Sequence, residues 1–84
     1  TELSVPSGTF VSAVTAVGIT GDLEITVADA LANEFLTDAD LSSQAEVYGI
    51  TTANTGTIGS DITVTVGGGT GTATIYLKLE KPAG

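Results

Sequence analysis

The residues in this sequence whose spacing could hold a ligand are Asp38, Asp40, Ser42, Gln44 and Glu46, which fall at alternate positions like the oxygen donors that open a calcium loop. Such a loop needs glycine at its sixth place, for a sharp turn, and a bidentate glutamate at its twelfth. Ser43 and Gly49 stand in those places instead. The better reading of these acids is therefore capping and solvation of a helix start, with a weak surface calcium site here, or at Asp22 and Glu24, as the competing one. The run Gly67-Gly68-Gly69-Thr70-Gly71 invites comparison with a phosphate-binding loop. A P-loop, however, carries Gly-Lys-Ser/Thr and opens a helix, whereas this run has no lysine and leads into a β-type segment. It does not have the glycine spacing of a dinucleotide fingerprint either.

Catalytic groups are scarce. There is no histidine, cysteine or arginine, so a serine or threonine nucleophile has no imidazole partner within the chain, and no thiolate or imidazole metal site can form. Ten acidic residues offer many carboxylate pairs, but 84 residues hardly enclose their own core, let alone a substrate cleft. The expectation is a protein that is not an enzyme and has no catalytic residues, metal ligands or cofactor.

The segments that would carry any site are mostly β-type. Fifteen threonines and eleven glycines set the composition; threonine and valine suit pleated, half-buried surfaces, and glycine marks turns. Leu3 to Val5 reads as a short strand or arm that ends at Pro6-Ser7-Gly8. Thr9 to Val17 is apolar on both alternating faces, as a strand covered on two sides would be. Leu23-Glu24-Ile25-Thr26-Val27 alternates without error, which predicts a half-exposed strand. The period then changes. Asp29 to Leu36 is rich in helix formers, with Asp29 able to cap and Leu31 spaced i, i+4 from Phe35, so a helix of about two turns is expected over residues 29–36. Thr37 and Asp40 have the spacing of a capping box, which allows a second helical turn as far as Ala45.

Glu46 to Thr52 leans towards strand, and Ala53 to Ser60 reads as a loop. Asp61 to Val66 and Thr72 to Leu79 both alternate, and the glycine run between them predicts a hairpin. Lys81 to Gly84 is a terminal tail. The fold class expected is mainly β, a β-sandwich or small barrel-like structure with one short α-helix around residues 29–36. Residues 1–84 form a single β-rich domain with a possible N-terminal arm over 1–8.

Charge and size narrow the partners. The net charge is −8, and both lysines, Lys78 and Lys81, lie near the C-terminal end. Nucleic acids and anionic membranes attract lysine and arginine, so neither is an expected partner. No run of 18 apolar residues is present to form a transmembrane helix, and the start has no basic or apolar segment of a secretory signal. A chain of this size buries only about 60% of its unfolded surface. It also has no disulfide or metal staple, which leaves oligomerisation or docking as the remaining means of support for a small scaffold. Other protein chains are the expected partners. An N-terminal arm of Thr1, Glu2, Leu3, Ser4 and Val5 could add to a neighbouring sheet through main-chain hydrogen bonds alone, which makes these five the candidate interaction residues.

The segment 70–79, Thr-Gly-Thr-Ala-Thr-Ile-Tyr-Leu-Lys-Leu, following Ile-Thr-Val-Thr-Val at 62–66, resembles the closing hairpin of many bacterial Ig-like and viral surface domains. The match covers about a fifth of the chain. Together with the acidic, Thr/Gly/Val-rich composition, the chain resembles the small decoration or cement proteins of tailed bacteriophage capsids. That resemblance implies a virion structural protein on the capsid surface, often a homo-oligomer, that strengthens the shell through contacts with capsid protein or with itself. The helix at 29–36 departs from a plain Ig-like sandwich. An extracellular or cell-surface adhesion module, and a filament or tail subunit, are the alternatives.

Overall fold

The computed structural model describes residues 1–51 and 57–83. Seven strands run in chain order: β1 (Glu2–Leu3), β2 (Phe10–Thr20), β3 (Leu23–Asp29), β4 (Glu34–Asp40), β5 (Glu46–Gly49), β6 (Ile62–Gly69) and β7 (Thr72–Glu80). They form two antiparallel sheets, ordered β1-β6-β3-β4 and β5-β2-β7. The core between them takes Val11, Val14 and Ala16 from β2, Leu23, Ile25 and Val27 from β3, Phe35 and Leu36 from β4, and Ile62 from β6. The chain is therefore a two-layer β-sandwich, within the mainly β class that the alternation predicted.

β3 follows its sequence pattern closely. Leu23, Ile25 and Val27 are buried while Glu24 is exposed, because it lies in the middle of its sheet with one face on the core. β2 is apolar on both faces for a different reason. It is the central strand of the second sheet, and a register shift between Val11 and Ala13 turns its inward face from Val11 to Val14 and Ala16.

Two expectations are corrected. The helix over 29–36 is absent, and so is the second helical turn as far as Ala45. Residues 30–33 form the turn of the β3–β4 hairpin, with Ala32 at φ 63°, and β4 begins at Glu34. An isolated helix of two turns is marginal in water, and pairing along β3 with burial of Phe35 and Leu36 outweighs helix propensity. Leu31, the supposed partner of Phe35, is 70% exposed at the tip of the turn. The capping box does not form either: the Thr37 hydroxyl donates to the Glu34 carboxylate, and Asp38 takes φ 45° in a bulge where its N–H donates to Thr26 Oγ1 at 3.0 Å.

The second correction concerns residues 62–79. β6 and β7 do not pair; β6 lies between β1 and β3, and β7 lies beside β2 in the other sheet. The glycine run is an arch between layers. A Cβ at Gly71 would stand 2.2 Å from the Thr20 carbonyl oxygen, so only glycine lets the arch lie against the β2–β3 turn. There the Gly71 N–H donates to the Asp22 carbonyl at 2.6 Å. The strand at 46–49 is present, and the loop expected at 53–60 lies partly outside the described residues, with a turn at Ile58 and Gly59 within them.

The far edge of the sandwich is closed by β4 against β5. Gly49 permits this approach, since a Cβ there would meet the Phe35 carbonyl oxygen at 2.4 Å and Leu36 Cδ2 at 2.6 Å.

Candidate interaction site

The arm Thr1–Val5 lies along its own chain. Glu2 and Leu3 are opposite Thr63 and Ile62 of β6, Val64 N–H donates to the Thr1 carbonyl at 2.7 Å, and the Thr1 nitrogen donates to the Val64 carbonyl at 2.9 Å. Val5 is buried, and its N–H donates to Asp61 Oδ1 at 3.0 Å. Leu3 packs against the core, while Thr1, Glu2 and Ser4 are exposed. Glu2 and Leu3 of the arm thus pair with β6 of the same chain, and β1 is the outer strand of its sheet.

The acids disperse rather than converge. Asp38 and Asp40 lie in β4, Ser42 and Gln44 in the following turn, and Glu46 in β5. Asp40 Oδ1 accepts from Ser42 N–H at 2.9 Å, and its hydrogen bonds with Ser42 lower its carboxyl pKa. Asp22, Glu24 and Asp40 border a shallow notch beside Gly68 and Gly69. Among the described residues, no group of three acids stands close enough to hold a metal ion.

Asp29 is the exception to this surface distribution. It is 5% exposed, and its Oδ1 accepts from the N–H groups of Leu31 (3.0 Å) and Asn33 (2.9 Å). Its Oδ2 accepts from Asn33 Nδ2 and from Thr57 N–H, both at 2.8 Å. Burial pushes the carboxyl pKa up, but these four hydrogen bonds outweigh it and hold the pKa below the ordinary 3.8. Asp29 was singled out as a helix cap. It does cap, but what it caps is a hairpin turn, which it ties to the segment leading into β6.

The outer face of the three-stranded sheet carries a row that sequence reasoning missed. Thr15 of β2 is opposite Tyr48 of β5 on one side and Tyr76 of β7 on the other. Both tyrosines are 60% exposed, and two strand spacings put them roughly 10 Å apart. Val17 lies next along the face, with Glu46 and Thr74 opposite it; Ala13, opposite Lys78, lies on the other side. Alternation alone put Tyr76 outward, but joining it to Tyr48 required the register of three strands. The strands of this sheet carry two acids and one lysine, against six acids and no lysine on those of the four-stranded sheet.

No family model matches the chain, and comparison with curated proteins and with solved structures gives no match. A sheet face bearing two tyrosines, with Thr15 between them and Ala13 and Val17 beside it, suits contact with a macromolecule, since tyrosine offers a large apolar ring and a hydrogen-bonding hydroxyl at low entropic cost. Among the described residues every fully buried side-chain polar atom has a hydrogen-bond partner.

Proposed function

We propose that this protein is a structural module that works by contact with other protein chains, as a decoration or cement protein on the outer shell of a virus capsid. The observation that carries this reading is the Tyr48–Thr15–Tyr76 row on the least acidic face of an otherwise acidic chain. Interface cores favour tyrosine, and on this face the charged residues Glu46 and Lys78 lie to either side of the tyrosine row. The small core and the absence of staples support the same reading, because docking supplies what the interior does not. The phage-capsid assignment itself draws on the sequence resemblance. Capsid protein and further copies of this chain are the partners proposed.

Co-sedimentation with empty capsid shells tests the proposal. The unmodified protein is expected to pellet with shells, and the double variant Tyr48→Ser, Tyr76→Ser to lose binding by about 100-fold, each anchor contributing on the order of 1–2 kcal/mol. Equal pelleting of the two proteins would reject the face. Binding to glycans or cells in place of shells would favour the adhesion reading, which draws on the same tyrosines, and salt-stable self-assembly into fibres would favour a filament subunit.

A further inference from the structure

Lys78 and Glu46 stand at opposite corners around the tyrosine row. Lys78 of β7 is opposite Ala13, two residues along β2 from Thr15, and Glu46 of β5 is opposite Val17, two residues the other way. Two strand spacings across and four residues along put them on the order of 16 Å apart, beyond the reach of an ion pair within the chain. Both are exposed, and among the described residues neither side chain has a hydrogen-bond or ion-pair partner.

This arrangement is complementary to itself. When two identical faces meet about a two-fold axis, the axis lies in the plane of contact and sets each copy's surface against the mirror position of the other's. An axis through Thr15, perpendicular to the line from Lys78 to Glu46, exchanges those two corners. Each Lys78 ammonium then meets the Glu46 carboxylate of the second copy, and the contact is made twice. The same operation brings the two tyrosines of the second copy down on β2, one between Thr15 and Val17 and the other between Thr15 and Ala13. Rings therefore settle on the smaller side chains that separate the rings of the first copy, and the strands of the two sheets cross closer to the orthogonal class than to the aligned one.

Charge favours this orientation over others. A second copy approaching through its four-stranded sheet brings strands with six acids and no lysine against strands whose one cation is Lys78. Face to face, the acidic layers point away from each other, and a Debye length of about 10 Å near 0.1 M salt screens them. Exposed ion pairs add little affinity, so the tyrosines supply the attraction and the charges set its register.

We propose that a second copy of this chain covers the tyrosine row, in a two-fold dimer held by Tyr48 and Tyr76 and oriented by reciprocal pairs between Lys78 and Glu46. The pairing rests on the row being a contact surface and names what occupies it. The contact is small by interface standards, so the dimer is weak and forms at sub-millimolar concentrations or above. On a shell the pair docks through two copies at once, so breaking it also weakens shell binding.

The test is sedimentation equilibrium of millimolar protein near 0.1 M salt, where the layers are screened. The unmodified protein is expected to dimerise, and Lys78→Glu and Glu46→Lys each to weaken the dimer about tenfold or more, because like charges then face each other twice. An equal mixture of the two variants should regain the unmodified affinity to within about threefold, since both pairs form again in the mixed dimer. Glu46→Lys also lowers the net negative charge, so an effect of overall charge alone would tighten the dimer, the opposite sign. An unchanged thermal transition confirms that each variant is folded. No dimer of the unmodified protein, a tighter dimer of Glu46→Lys, or a mixture no more associated than its components would each overturn the proposal. A dimer lost in the double variant Tyr48→Ser, Tyr76→Ser but kept in both charge variants would reject this pairing while leaving the row a contact surface. Shell binding is measured separately and judges the row itself.

Discussion

At the scale of single residues, Asp29 is the polar group on which the structure most depends. Its two oxygens satisfy three backbone N–H groups and one side-chain amide from Leu31, Asn33 and Thr57. Replacing Asp29 with alanine orphans those donors and is expected to cost on the order of 3 kcal/mol, read as a lower denaturation midpoint with unchanged slope. Asp29→Asn turns an amide NH2 towards Asn33 Nδ2 and Thr57 N–H and should lose about half as much. The pKa of Asp29 is depressed in the folded chain, so the stability it contributes is fully present above the ordinary value of 3.8 and is lost as pH falls through the folded value. Unfolding free energy should therefore decline below about pH 4 in the unmodified protein, and less steeply in Asp29→Asn. A pH slope identical in both proteins would remove Asp29 from this role.

At the scale of elements, the decisive feature is the arch at residues 70 and 71, which sends β6 and β7 into different sheets. Gly71→Ala would drive a methyl group into the Thr20 carbonyl, and an expected loss of about 1–3 kcal/mol should show as a lower melting temperature. No change in melting temperature would mean that the arch yields at no cost. The same element shows why some of the fold was legible in the sequence and some was not. Strand character resides in alternation, so β3, β6 and β7 were readable from Leu23-Glu24-Ile25, Ile62-Thr63-Val64 and Ile75-Tyr76-Leu77. Strand partnership does not reside there, because a glycine run serves equally for a hairpin and an arch, and the choice depends on which sheet has room for β7. Likewise Asp29 to Leu36 has helix-forming residues, yet the long-range reward of burying Phe35 and Leu36 beside β3 outweighs a preference worth only tenths of a kcal/mol per residue. The capping chemistry of Asp29 was legible, and the element it caps was not. The interaction row was hidden for a third reason, since Tyr48 and Tyr76 are 28 residues apart and meet across Thr15 only once register is known.

At the scale of the whole molecule, the charge is unevenly spread. The four-stranded sheet and its loops carry most of the acids, while the outer face of the three-stranded sheet is nearly balanced. The molecule measures 42 × 21 × 19 Å, so repulsion between the acidic layers reaches across a contact made through the tyrosine face only when the Debye length is comparable to that thickness, about 30 Å near 0.01 M salt. Self-association through that face should therefore strengthen as salt is raised from about 0.01 M towards about 0.1 M, as followed by sedimentation equilibrium. Weakening over that range would mean that the contact is held mainly by opposite charges and is made elsewhere. The proposed role requires the tyrosine face to be covered in the assembled state. Tyr48 and Tyr76 are the only tyrosines in the chain, which makes them their own reporters. Oxidative footprinting of the free protein and of the protein bound to shells, with peptide-level mass readout, should show both rings reactive when free and both protected together when bound. Rings that react equally fast in the two states would contradict the account.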